Sequence, residues 1–289
     1  MSGYIDVHLH WCLFGRNQAE VKNELLHLEN VGYEALVVLP LPGLGASPER
    51  VLNLVPGAYR SLCKLTAEAT ANDDLESWRP FKAAWDGEHH KLKLKSFIDL
   101  RAWDGVKELS YWWGEGHDGI KGILVAEEDT ETMAMPPMRE APGISREAYF
   151  DAQKNLFKLT REKDVPLIYH VDVTRHGDFI EEQLSTYTDL KINLPHLGFS
   201  RKYFAGILER HANVMSDISS LGPYIQKAPE AYREFIMAFP DRIMLGSDTI
   251  ASSSLAEASA YLEIVKNLNL PEDVEAALLW GNASRFLGL

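Results

Sequence analysis

The sequence is poor in cysteine, in basic charge and in long apolar runs, and each shortage removes a class of protein. Cys12 and Cys63 are the only cysteines in 289 residues, which rules out a disulfide framework and suits a reducing cytosol. No apolar run approaches the roughly 18 residues that a membrane-spanning helix needs. The start, Met1-Ser2-Gly3-Tyr4-Ile5, has no basic stretch followed by an apolar one, so no secretory signal is expected and the expected location is cytoplasmic. Lys and Arg number 29 against 42 for Asp and Glu, a net charge of −13 that disfavours nucleic acid and acidic membrane surfaces as partners. An anionic ligand must therefore meet a local positive centre. Motifs are missing too. There is no Gly-x-Ser-x-Gly elbow and no His-Glu-x-x-His helix, so serine-hydrolase and zincin chemistry have no support. Gly43-Leu44-Gly45 lacks the third glycine of a dinucleotide fingerprint, and Ser47-Pro48 reads better as the start of a helix.

What the chain does have is apolar content, 46% of its residues, arranged in short runs separated by amphipathic stretches. Eight strands are predicted, at Tyr4 to His10, Ala35 to Leu41, Ser96 to Arg101, Gly122 to Ala126, Pro166 to Val171, Lys191 to Leu197, Asn213 to Ile218 and Arg242 to Asp248. Helical periodicity lies between them, clearest at Glu20 to Val31, Arg146 to Glu162, Phe179 to Tyr187, Arg201 to Arg210, Glu230 to Phe239 and Leu255 to Leu268. Eight alternations in one α/β domain, taken as residues 1–289, predict a (β/α)8 TIM barrel, whose usual size is about 250 residues. An open doubly wound sheet is the alternative. The barrel is expected to be distorted in two places. The segment Pro42 to Lys95, between strands 2 and 3, is too long for one loop and helix and should hold a broken helix plus an excursion. Glu127 to Gly143 follows strand 4 and should form a long loop at the mouth, where such loops serve as lids.

The chemistry concentrates at predicted strand ends. Asp6-Val7-His8-Leu9-His10 closes the first strand, and a period of two sends Asp6, His8 and His10 to one face, the interior of a barrel. Two imidazoles at i and i+2 of a strand can reach one cation. His170 closes Pro-Leu-Ile-Tyr-His, His196 closes Ile-Asn-Leu-Pro-His, and Asp248 closes Met-Leu-Gly-Ser-Asp. Singly, each reads as a hydrogen-bonded core histidine or a helix cap. Together, four imidazoles and a carboxylate at the C-terminal rim, where barrel enzymes keep their catalytic groups, predict a divalent metal site, zinc first and manganese second, with an open position.

Ile5-Asp6-Val7-His8-Leu9-His10, His170, His196, Leu245-Gly246-Ser247-Asp248 and the closing Gly281-Asn282-Ala283-Ser284-Arg285-Phe286 carry a resemblance. Across essentially its whole length the chain resembles the amidohydrolase superfamily. Within it the chain is most similar to the amidohydrolase-related branch of metal-dependent barrels that includes aminocarboxymuconate-semialdehyde decarboxylase, resorcylate-type decarboxylases and several lactone hydrolases. The resemblance implies that His8, His10, His170 and Asp248 bind the metal, that His196 is a catalytic acid/base, and that Asp6 supports the site. Binuclear members carry a bridging carboxylated lysine or a glutamate at the end of the fourth strand. Lys121 is read as standing too early in its strand to reach the mouth, so one divalent ion is expected. TatD-like nucleases would want a glutamate in Gly119-Ile120-Lys121-Gly122, and the polymerase-and-histidinol-phosphatase family would want a histidine at Ile250; both fail.

The expected activity is metal-dependent hydrolysis of a small carboxylated or cyclic ester or amide by a metal-activated water, with His196 and Asp248 handling protons. The alternative is nonoxidative decarboxylation of a small aromatic or unsaturated acid. Residues just after strands are expected to line the pocket: Trp11, Arg101, Trp103, Arg175, His176 and Tyr224, with Met133, Met135 and Arg139 on the lid. Of these, Trp11 and one of Arg101 and Arg175 are expected to bind the substrate, because a guanidinium can fix a carboxylate beside the metal. The expected partner is a small anionic molecule, and a homo-oligomer is compatible with the sequence.

Overall fold

The computed structural model describes residues 3–43, 46–72, 74–100, 116–140 and 143–289. Among the described residues nine strands form one parallel sheet: Tyr4–His10 (β1), Tyr33–Leu39 (β2), Lys93–Leu100 (β3), Gly119–Ile123 (β4), Leu167–His170 (β5), Ile192–Asn193 (β6), Val214–Asp217 (β7), Ile243–Met244 (β8) and Thr249–Ile250 (β9). Their order is β8-β7-β6-β5-β4-β3-β2-β1-β9. The last two are halves of one strand. β8 pairs with β7 and β9 with β1, while Val7 donates its N–H to Leu245 (3.0 Å) and Asp248 to His8 (2.8 Å) across the break. The sheet thus curls shut as the eight-unit TIM barrel the alternation predicts, with its eighth strand interrupted where Asp248 adopts a left-handed φ of 64°.

Strand lengths differ from the sequence reading for identifiable reasons. β2 stops at Leu39 because Pro40 and Pro42 offer no N–H to a ladder. β4 lies three residues earlier than expected, since the N–H of Val125 goes to the Tyr149 hydroxyl (3.0 Å) and that of Ala126 to the Asp129 carboxylate (2.8 Å). β6 is cut short by Pro195 and by a left-handed turn at His196–Phe199. Helices follow their local signals more closely. Gln18–Val31 starts behind Asn17, whose side chain accepts from Ala19, and stops at Gly32 with φ 111°. Arg146–Lys163 starts behind Ser145 in the same manner.

Two apolar layers make the core. Inside the barrel, Ile5, Val7, Val37, Leu39, Phe97, Ile168 and Met244 pack against Ala283 and Phe286, which plug the end opposite the mouth. Outside, Leu9, Leu36, Val38, Ile98, Tyr169 and Val214 pack against the helices. Val7 therefore faces inward and Leu9 outward, and the strict alternation expected along β1 does not hold. A register irregularity between Asp6 and Leu9 resets it. His8 and His10 reach the mouth, whereas Asp6 lies buried, its carboxylate accepting from the N–H of His8 (2.9 Å) and Ser247 (3.0 Å).

The excursion between β2 and β3 holds helices Pro48–Asn53, Arg60–Ala71 and Leu75–Gly87. The last docks through an aromatic run in which Trp11 meets Trp78 and Phe81 with centroids 4.8 and 4.7 Å apart. The indole of Trp11 donates to Ser77 (2.9 Å) and that of Trp78 to Ser96 (2.8 Å). Glu127 to Gly143 includes helix Thr130–Met133 and brings Thr132 and Met133 to the mouth. Among the described residues no helix is long and apolar enough to cross a membrane.

Candidate metal centre

Strand ends and the turns after them bring the titratable groups together. β1 supplies His8 and His10, β5 ends on His170, the turn after β6 supplies His196, β7 ends on Asp217, and the break before β9 supplies Asp248. Asp248 Oδ1 lies 3.3 Å from His8 Nε2 and 3.1 Å from His10 Nε2. His196 Nε2 lies 3.2 Å from His170 Nδ1. Ligand atoms of His8, His196 and Asp248 all fall within 4.8 Å of one another. Two of these positions, His196 (φ 57°) and Asp248 (64°), and Ser220 (56°), whose hydroxyl donates to Asp248, hold non-glycine residues in the left-handed region, a strain that concentrates at functional sites.

The hydrogen bonds fix the tautomers. A carbonyl oxygen only accepts, so His196 Nδ1, 2.8 Å from the Ser219 carbonyl, carries the proton and leaves a lone pair on Nε2. That lone pair accepts from His170 Nδ1, which leaves the lone pair of His170 on Nε2. His8 Nδ1 donates to Asp217 Oδ2 (3.3 Å), leaving its own Nε2 open. His8 Nε2 and His170 Nε2 are both buried and have no hydrogen-bond partner among the described residues. Buried acceptors in that state are costly unless something binds them.

Electrostatics keeps these groups in ligating form. Burial pushes His8 below the usual imidazole range against the pull of Asp248 and Asp217. Burial, with the charge of Lys121, pushes His170 well below it. Burial opposes ionisation of Asp217 and Asp248, but the contacts with His8 outweigh it, helped by His196 and Ser219 for Asp217 and by His10 and His196 for Asp248, so both stay carboxylates. Asp6 differs: burial raises its pKa to about 7. Neutral imidazoles and one carboxylate match the donor chemistry of zinc or manganese, so the residues present fit a divalent ion.

Asp217 has no place in the sequence reading. It accepts from His8, from Asn193 Nδ2 (2.7 Å) and from the N–H of Ser219 (3.1 Å). It fixes the orientation of the His8 ring, as a carboxylate behind a metal-binding histidine does. Its signal was the pair Ser216-Asp217 closing an otherwise apolar strand, the same signature that marks His170 and Asp248.

The remaining predicted residues separate. Arg175 and Tyr224 line a cavity of about 680 Å³ over the centre, with His170, His196 and Asp248 in its wall. Met133 and Met135 line a neighbouring one of about 190 Å³ with His10, His170 and Asp248. Lys121 lines that second cavity too, which corrects the reading that it stands too early to reach the mouth. Because β4 starts at Gly119, Lys121 is its third residue, in register with Asp99, and its long stem covers the rest. Trp11 lines neither cavity; it is buried in the aromatic run. His176 is buried on Asp129 (2.7 Å), and Arg139 pairs with Glu127 and Glu140. Arg101 and Trp103 lie outside the described residues.

The backbone is similar to solved structures at low identity. One is a candidate 2-pyrone-4,6-dicarboxylic acid hydrolase from Pseudomonas putida, with TM-score 0.60 and 17% identity over 100% of this chain and 98% of that one. A dihydroorotase from Campylobacter jejuni gives 0.59 and 16% over 99% and 83%. An amidohydrolase from Burkholderia multivorans with bound zinc gives 0.54 and 14% over 99% of each chain. At these identities the likeness concerns the fold. No curated protein matches the chain in sequence. The amidohydrolase family model matches residues 96–289, a span that takes in His170, His196, Asp217 and Asp248, and the chain belongs to the amidohydrolase family.

Proposed function

We propose that the chain is a metal-dependent hydrolase of small cyclic or carboxylated esters or amides, in which His8, His10, His170 and Asp248 hold one divalent ion. The observation that carries this reading is the pair of buried, partnerless imidazole lone pairs beside an ionised Asp248, opening on a cavity of about 680 Å³. That volume suits a small molecule. When bound, a divalent ion makes water nucleophilic near neutral pH and polarises a carbonyl.

The chain's own residues supply orientation and proton handling. Asp217 holds the Nδ1 proton of His8 and so keeps Nε2 aimed at the centre. His196, tied through Nδ1 to Ser219, holds the ring of His170 through Nε2 and lies in the cavity wall. As an acid/base it exchanges a proton at Nε2 with the reacting substrate, a step that requires Nε2 first to release its bond with His170 Nδ1. Asp248 accepts the proton that water gives up, its Oδ2 held by Ser220 Oγ (2.5 Å). As an ammonium, Lys121 sets a positive charge beside His170. The name of the Pseudomonas putida neighbour denotes a cyclic ester bearing two carboxylates, in agreement with this substrate class.

The test is a screen of carboxylated lactones and cyclic amides with zinc- or manganese-loaded protein in water enriched in oxygen-18. Hydrolysis puts one labelled oxygen into the new carboxyl group of the ring-opened product. Release of carbon dioxide from aromatic or unsaturated acids, with no ring opening and no label, would replace this reading by the decarboxylase one.

A further inference from the structure

Two arginines line the large cavity, and their surroundings are opposite. Arg175 is occupied. Its Nη1 donates to the Glu128 carbonyl (2.6 Å) and its Nη2 to Thr132 Oγ1 (2.8 Å), and its Nε stands 3.5 Å from Asp172 and 3.7 Å from Asp129. These bonds tie the turn after β5 to the segment after β4 and leave little of the guanidinium for a ligand.

Arg201, the first residue of helix Arg201–Arg210, has no such ties. Its guanidinium carbon lies 4.0 Å over the ring of Tyr232, which also lines the cavity. Its Nη1 is buried with no hydrogen-bond partner, and it makes no ion pair among the described residues. In a chain with 42 acidic side chains against 29 basic ones, a cavity-lining guanidinium that meets no carboxylate is set apart from its surroundings. Stacking on an aromatic face fixes the plane of the guanidinium and leaves its edge donors available, and that edge matches a carboxylate with two parallel N–H bonds.

We propose that Arg201, held on Tyr232, receives a carboxylate of the substrate and is the residue that selects carboxylated compounds. This gives the role expected of Arg175 to a residue that the sequence reading passed over as a helix start; Arg101 lies outside the described residues. It rests on the hydrolase reading only in calling the bound acid a substrate.

The test is calorimetric titration of the metal-loaded protein with benzoate, benzene-1,3-dicarboxylate and glutarate, and with the dimethyl ester of the second as neutral control. At least one acid should bind the wild type, and the diester should bind far more weakly. Arg201→Met should weaken the acid by about 10- to 100-fold, the usual worth of hydrogen bonds to a charged group. Arg201→Lys keeps the charge but loses the fork, so it should also weaken binding; it decides the matter should the methionine variant fail to fold. Arg175→Met should leave affinity near the wild-type value. Binding of no acid, equal binding of acid and diester, or undiminished binding by both Arg201 variants would overturn the proposal. The same titrations after chelation separate binding at Arg201 from binding at the ion, and assays of the metal-loaded protein separate the two readings. Arg201-dependent binding in a protein that hydrolyses nothing upholds this inference and removes the hydrolase. Hydrolysis whose preference for acids survives Arg201→Met and Arg201→Lys does the reverse.

Discussion

Asp248→Asn is expected to weaken metal retention and to lower turnover by roughly 10²- to 10⁴-fold, the range for loss of a general acid/base. Asn keeps the shape of the side chain and one acceptor oxygen. It removes the negative charge that stands 3.3 Å from His8 Nε2 and 3.1 Å from His10 Nε2, and with it the attraction for a dication. It also replaces one carboxylate oxygen by an amide nitrogen, which cannot accept a proton. Both losses follow from one atom change. Metal content and kcat measured on the same preparations check it, and an Asn variant that keeps the ion and full turnover would remove Asp248 from both roles.

His196→Asn should separate what Asp248→Asn combines. His196 Nε2 is bonded to His170 Nδ1 whereas His170 Nε2 is open, so we assign the ion to His170 and proton exchange, once that bond is released, to His196. Turnover should fall by roughly 10²- to 10⁴-fold. Loss of the contact that orients His170 should cost about 10- to 100-fold in metal affinity, as for other groups that position a ligand, so the ion stays bound when metal is in excess. Because His196 also lies within 4.8 Å of the His8 and Asp248 ligand atoms, the competing outcome is concrete. If His196→Asn loses its ion as readily as His8→Asn does, then His196 is a ligand.

The barrel was legible because its signals are local and repeated. The β1 boundaries Tyr4 and His10 and the helix Arg201–Arg210 agree with the sequence reading residue for residue, since an apolar run or a helical period is written in consecutive residues. His8, His10, His170, His196 and Asp248 stood out by one rule, a polar residue closing an apolar strand. What escaped depends on neighbours far along the chain. The irregularity in β1 arises from pairing with β2, so alternation misassigned the side of Asp6. The side chain of Trp11 is claimed by a helix more than sixty residues away, through Ser77 and Trp78. The reach of Lys121 depended on where β4 begins, which its pairing with β3 from Gly119 opposite Phe97 sets. Arg175 and Arg201 look alike in sequence; only their three-dimensional partners distinguish an occupied guanidinium from an open one.

The central claim is a single divalent ion held by His8, His10, His170 and Asp248, and elemental analysis of the purified protein after growth with zinc or manganese tests it most directly. One equivalent per chain, lost in His8→Asn, is the predicted result. Two equivalents, or none, would contradict it.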